Sequence, residues 1–181
     1  KNLFRPERQA NILKKLFSLK FNKISPEIIF SYWRSIFFSQ INIQGGIDVI
    51  VLKSAKKKEI FCIYDYFSHE VDIIKCNSVQ SAYKKIISTG NSILIMPYPT
   101  SKGEGLWWTK YKFSSTCIIA TLPFLINKKQ KPILVVISKY MPSIEESNHF
   151  LYISKSQVKN KNMLLEAKGI NRFLYKSNVA I

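Results

Sequence analysis

The sequence predicts a protein of mixed class (α+β / α/β): an N-terminal helical hairpin followed by an α/β unit. Three observations predict it. Up to about residue 44, apolar residues recur at the 3.6-residue spacing of helices, with Pro6 and Pro26 standing where helices begin. Gly45-Gly46 then breaks the pattern. From residue 47 onward, short runs rich in Val, Ile and Tyr alternate with helical stretches, as in α/β folds. The division this implies is 1–46 and 47–181.

The elements follow in order. "RPERQANILKKLFSL" (5–19) is a helix with Pro6 at its first position, where a missing N–H loses no bond, and with Ile12, Leu13, Leu16 and Phe17 in one stripe. "FNKIS" (21–25) is a loop. Ser25 caps a second helix that carries Ile28, Ile29, Tyr32, Trp33, Ile36 and Phe37 on an expected broad apolar face and runs to about Gln44. The short loop makes the two helices an antiparallel hairpin. "IDVIVL" (47–52) is a strand, 54–67 fits either helix or strand and is read as helix, "VDIIKC" (71–76) is a strand, and Ser78 caps a helix ended by Gly90. Strands follow at 92–99, 117–124 and 131–140, with a Lys-rich turn between the last two. The tail reads as strand (149–155), helix (158–169) and strand (170–177), a β-α-β pattern like a reduced ACT-type regulatory unit.

Composition narrows the function. At 46% hydrophobic and 13% aromatic, the chain has the material for a packed core. Its net charge of +17, from 28 basic against 11 acidic residues, favours anionic partners. The excess is mostly scattered lysine among Asn and Ile, which reads equally as the drift of an AT-rich genome, and no arginine-rich arm is present, so nucleic acid is not the expected partner. Cys62, Cys76 and Cys117 are widely spaced and odd in number, which points to a reducing, cytoplasmic setting. His69 and His149 have no metal-site spacing, and no cofactor or metal is expected. The longest apolar run, 117–126, is too short for a membrane span.

The chemistry gathers at one end of the hairpin. Arg5 and Arg8 open the first helix, and Gln9 follows. Gln40 and Gln44 sit one turn apart near the end of the second, in line with Trp33 and Ile36/Phe37, and so are expected on its buried face. Buried amides need partners, since an orphan costs about 1–3 kcal/mol. In an antiparallel hairpin, Arg5, Arg8, Gln9, Gln40 and Gln44 converge. Arginine forks and a helix start suit a carboxylate.

These residues resemble the last two helices of the all-helical chorismate mutases, as found in bifunctional chorismate mutase–prephenate dehydratase chains. "RPERQANILKKL", a short loop and "YWRSIFFSQINIQGG" carry the likeness, over about residues 3–46. The resemblance implies an isomerase of aromatic amino acid biosynthesis that converts chorismate to prephenate as a homodimer. It implies that Arg8 binds a substrate carboxylate and Gln44 donates to the ether oxygen, with Gln9 and Gln40 lining the pocket; Arg5 joins them as a substrate-binding candidate from the hairpin convergence alone. Gln9 stands where the family carries glutamate for the substrate hydroxyl; its carbonyl can still accept. The family's first helix, bearing an arginine and a lysine, either lies upstream of Lys1 or is lacking, which would leave an incomplete mutase; one more arginine is expected from across the dimer. Such a pericyclic step needs fixed cations and donors, and no nucleophile.

The second unit resembles a degenerate prephenate dehydratase. "FSHE" (67–70), "MPYP" (96–99), Trp107-Trp108 and "TLPF" (121–124) carry that likeness, but Thr121-Leu122-Pro123-Phe124 lacks the arginine of a dehydratase phrase, so no dehydratase activity is expected. The alternative function is a non-catalytic, metabolite-binding relic; polyanion binding, from charge alone, stands third.

Overall fold

The computed structural model describes residues 3–19, 24–109, 115–125, 130–141, 150–155, 157, 164–168 and 173–177. Helices α1 (Pro6–Ser18) and α2 (Pro26–Ile43) form the hairpin, with Ser25 Oγ accepting from the Ile28 N–H. The chain then runs β1 (Asp48–Leu52), α3 (Lys57–Phe67), β2 (Asp72–Cys76), α4 (Val79–Ser88) and β3 (Ser92–Pro97). A 3₁₀ helix (Gly103–Thr109) leads to β4 (Cys117–Leu122) and β5 (Leu134–Ser138), and β6 (Phe150–Ser154), β7 (Leu164–Lys168) and β8 (Phe173–Ser177) complete it. The loop at 21–23 and the Lys-rich turn at 126–129 lie outside the described residues.

One five-stranded sheet has the order β2-β1-β3-β5-β4; β1 is parallel to β2 and β3, and β5 is antiparallel to β3 and β4. Since β2 and β3 flank β1 on opposite sides, right-handed crossovers put α3 and α4 on opposite faces, and they lie so. The three central strands are buried on both faces, which explains their near-continuous apolar runs. The period of two then sorts them. Val49, Val51, Ile93, Ile95, Leu134 and Val136 share a core with α3, while Ile50, Leu94, Met96, Val135 and Ile137 pack with Ala82 and Ile86 of α4 and with Trp107 and Trp108.

The hairpin lies on the α3 face, where Phe4, Phe38 and Ile41 join the same core as the sheet. Two expectations fail here. The inward face of α2 carries Phe30, Phe37, Phe38 and Ile41, whereas Ile28, Tyr32 and Ile36 point outward. Gln40 and Gln44 are therefore exposed rather than buried. The reason is that α2 is apolar on nearly all sides, so periodicity alone does not choose a face, and the rings of α3 choose it. In the tail, Leu164–Lys168 is a strand, not a helix; 158–163 lies outside the described residues. The tail strands pair as an antiparallel sheet of order β6-β8-β7, with no β-α-β unit among the described residues, and Ala167 and Leu174 bury against the α4 face.

Candidate functional site

The first turn of α1 is held by an acid. No side chain caps the helix at Arg5; instead Glu7, 8% exposed, sits in the positive first turn. Its Oε1 accepts from Arg5 Nε at 2.8 Å and from the Tyr140 hydroxyl, beyond the end of β5, at 3.1 Å. The Arg5 guanidinium also lies over the Tyr140 ring, 5.8 Å from its centre. The bond to Glu7 raises the Arg5 pKa, while burial, followed by the bond to Glu7, raises that of Tyr140. Arg5 is thus a tether between hairpin and sheet.

Gln9, 3% exposed, also turns inward: its Oε1 accepts the Tyr66 hydroxyl of α3 at 2.7 Å. Burial holds Tyr66 well above the ordinary tyrosine range, so it stays a donor. Glu7 Oε2 and Gln9 Nε2 are buried with no hydrogen-bond partner among the described residues. Arg8, between these inward residues, stands in solvent.

The segment leading into α1 and the C-terminal half of α2 lie against the same rings. Phe4 and Phe38 both lie against Phe67, at 5.4 and 5.3 Å between ring centres, and both against Tyr66, at 6.2 and 5.6 Å. Gln44 is the C-cap of α2. Gly45 and Gly46 close it at φ 107° and 69°, and the Gly46 N–H bonds back to the Ile41 carbonyl at 3.0 Å. The five residues read from the sequence therefore divide: Arg5 and Gln9 engage the sheet unit, and Arg8, Gln40 and Gln44 are presented outward. Sequence reading missed Glu7, Tyr66 and Tyr140. The acid lying between two arginines was the visible signal for the first; the two tyrosines come from remote segments and gave none.

The switch point of the sheet, outside the carboxyl ends of β1 and β3, is the other natural place for a ligand. There Leu52, Ala55, Glu59, Pro97 and Glu104 line a cleft of about 10 Å³, room for about one water. Glu59 Oε2 accepts the Lys56 N–H at 2.8 Å, which fills the helix start with the chain's own carboxylate. Trp107 and Trp108 are buried and donate to the Pro97 and Thr100 carbonyls at 2.8 and 2.9 Å; they anchor the "PYPTSKGEG" loop. A second cleft of about 50 Å³, beside Phe4, Asn91 and Tyr140, has space for little more than water. His69 is exposed and stacks on Tyr64 at 4.7 Å. Among the described residues no cluster of His, Cys, Asp or Glu is arranged to hold a metal. Compared with protein-family models, with curated proteins and with solved structures, the chain matches none.

Proposed function

We propose that the hairpin is part of a chorismate mutase-like site in a cytoplasmic enzyme, converting chorismate to prephenate. The observation that supports this reading is that Phe4, just ahead of α1, and Phe38, in the C-terminal half of α2, both lie against Tyr66 and Phe67, so the start of α1 and the end of α2 share one end of the hairpin, and Arg8, Gln40 and Gln44 are exposed. Arg8 is the fork for one substrate carboxylate. Gln44 donates to the ether oxygen, where charge grows as the bond breaks. Arg5 and Glu7 fix the first turn and so the direction in which Arg8 projects. The second carboxylate takes its cations from a helix ahead of the hairpin and from a second protomer, as the family resemblance implies.

A second reading rests on Gln9. The residue assigned to the substrate hydroxyl spends its carbonyl on Tyr66 instead. This favours a hairpin that keeps its carboxylate grip and binds a metabolite without turning it over.

One experiment separates them. Chorismate is incubated with the natural full-length protein, products are identified by NMR, and binding is followed by calorimetry. Prephenate formation that Arg8→Ala abolishes, and that Gln44→Ala slows through kcat more than KM, supports the mutase. Binding without turnover supports the second reading. Neither, with the protein folded, removes both.

A further inference from the structure

We infer that the outer face of α2 is the contact surface between two copies of this chain. Ile28, Tyr32, Ile36 and Ile43 are 49, 71, 58 and 75% exposed. At 100° per residue they fall within an arc of about 80°, opposite the face packed on α3. A helix apolar on all sides belongs in an interior, yet α2 has one side open.

The pattern of that side fits its own copy. Ile28, Tyr32 and Ile36 form a ridge at four-residue spacing, and Ser31, Ser35 and Ser39 form a shallow groove beside it at the same spacing. All three serines are small and exposed, and Ser35 Oγ donates back to the Ser31 carbonyl at 3.1 Å. Let two helices run antiparallel about a two-fold axis between Ser35 and Ile36. Ile28 then faces Ile43 of the second copy, and Tyr32 faces Ser39 of the second copy, large against small in both directions. This is the self-complementarity an isologous contact requires.

Charge and area agree. The chain carries +17, and two such copies repel, yet the 18 residues of α2 hold one acid, Glu27, and one base, Arg34. Arg34 is turned aside onto Asp65 of α3 at 3.0 Å. Among the described residues, α2 itself therefore presents no unpaired cation on this face. Together its four large side chains leave an apolar patch on the order of a few hundred Å², the size at which a surface patch is often functional.

This inference stands without the mutase reading, and mass measurement tests it without substrate. In analytical ultracentrifugation the wild-type protein sediments at twice the chain mass. Ile36→Glu halves that mass at unchanged circular dichroism, and Phe61→Glu, on an equally open side chain of α3 (73% exposed), leaves it doubled. Ser35→Cys, beside the axis, gives a covalent dimer on mild oxidation that the parent chain treated alike does not. Should Ile36→Glu fail to fold, the cross-link decides alone. A wild-type monomer overturns the inference, as does a dimer that Ile36→Glu leaves intact. A monomer that Ile36→Glu destabilises places another part of the same chain on the face and overturns it as well.

Discussion

Tyr66→Phe deletes one oxygen from the interior and leaves everything else in place. The hydroxyl is buried on a 2%-exposed residue, and it donates at 2.7 Å to an amide that is itself 3% exposed. Removing it leaves Gln9 Oε1 as an orphan beside Nε2, which has no partner among the described residues. Each such buried orphan costs about 1–3 kcal/mol. For a chain of this length that lowers the Tm by about 2–4 °C per kcal/mol. Gln9→Met, similar in volume, orphans the tyrosine hydroxyl and costs a similar about 1–3 kcal/mol. The double variant removes both polar ends together and is far less destabilised than the sum, since two apolar groups of matching shape replace a bonded pair. Urea unfolding of the four proteins, with midpoint and slope fitted for each, therefore gives a coupling of about 1–3 kcal/mol. Additivity within about 0.5 kcal/mol refutes the reasoning, because it means that the two groups do not depend on each other.

Gly105→Ala sets a methyl against Thr100 Oγ1 and 2.8 Å from the Tyr98 carbonyl oxygen, which is backbone and cannot swing away; the loss is about 1–3 kcal/mol, read as a lower Tm. Arg34→Ala breaks an ion pair whose acid is 58% exposed, so the loss stays within about 1 kcal/mol and shrinks further in high salt. Burial lifts the thiols of Cys62 and Cys117 from 9.0 to about 11. In the native protein at pH 8 a maleimide then labels both slowly, and mass spectrometry of the digest shows the delay against the unfolded chain. The same shifts fix a sign. The folded state keeps protons that the unfolded state releases, so their stabilising effect is complete below about pH 9 and is lost as pH rises through about 11.

The boundaries of α1 and α2 were legible because prolines, a serine cap and a glycine pair mark them chemically, whatever the rest of the chain does. Strands β1, β3 and β5 were legible as unbroken apolar runs. The facing of α2 was not: with aromatic and aliphatic residues on every side, the choice belongs to Tyr66 and Phe67 of α3, far away in sequence. The same gap hid the fate of Gln9, whose partner hydroxyl comes from α3, and of Arg5, whose ring partner lies beyond β5. "LLEAK" reads locally as helix, since Leu, Glu, Ala and Lys are all good helix formers. Pairing with β8 overrides that preference, and Ala167 is then buried on the α4 face.

The aromatic cluster under the hairpin has a consequence for how the chain can be divided. Phe4 and Phe38 lie against Phe67 and Tyr66, while Phe30 and Tyr66 stack on Phe124 at the far end of β4. Phe4, Phe38 and Ile41 are buried in the same core as α3 and the sheet. Cutting at Gly45-Gly46 would leave two sticky halves and no stable part. The sheet unit is therefore the support on which α1 and α2 rest, whatever chemistry either part carries.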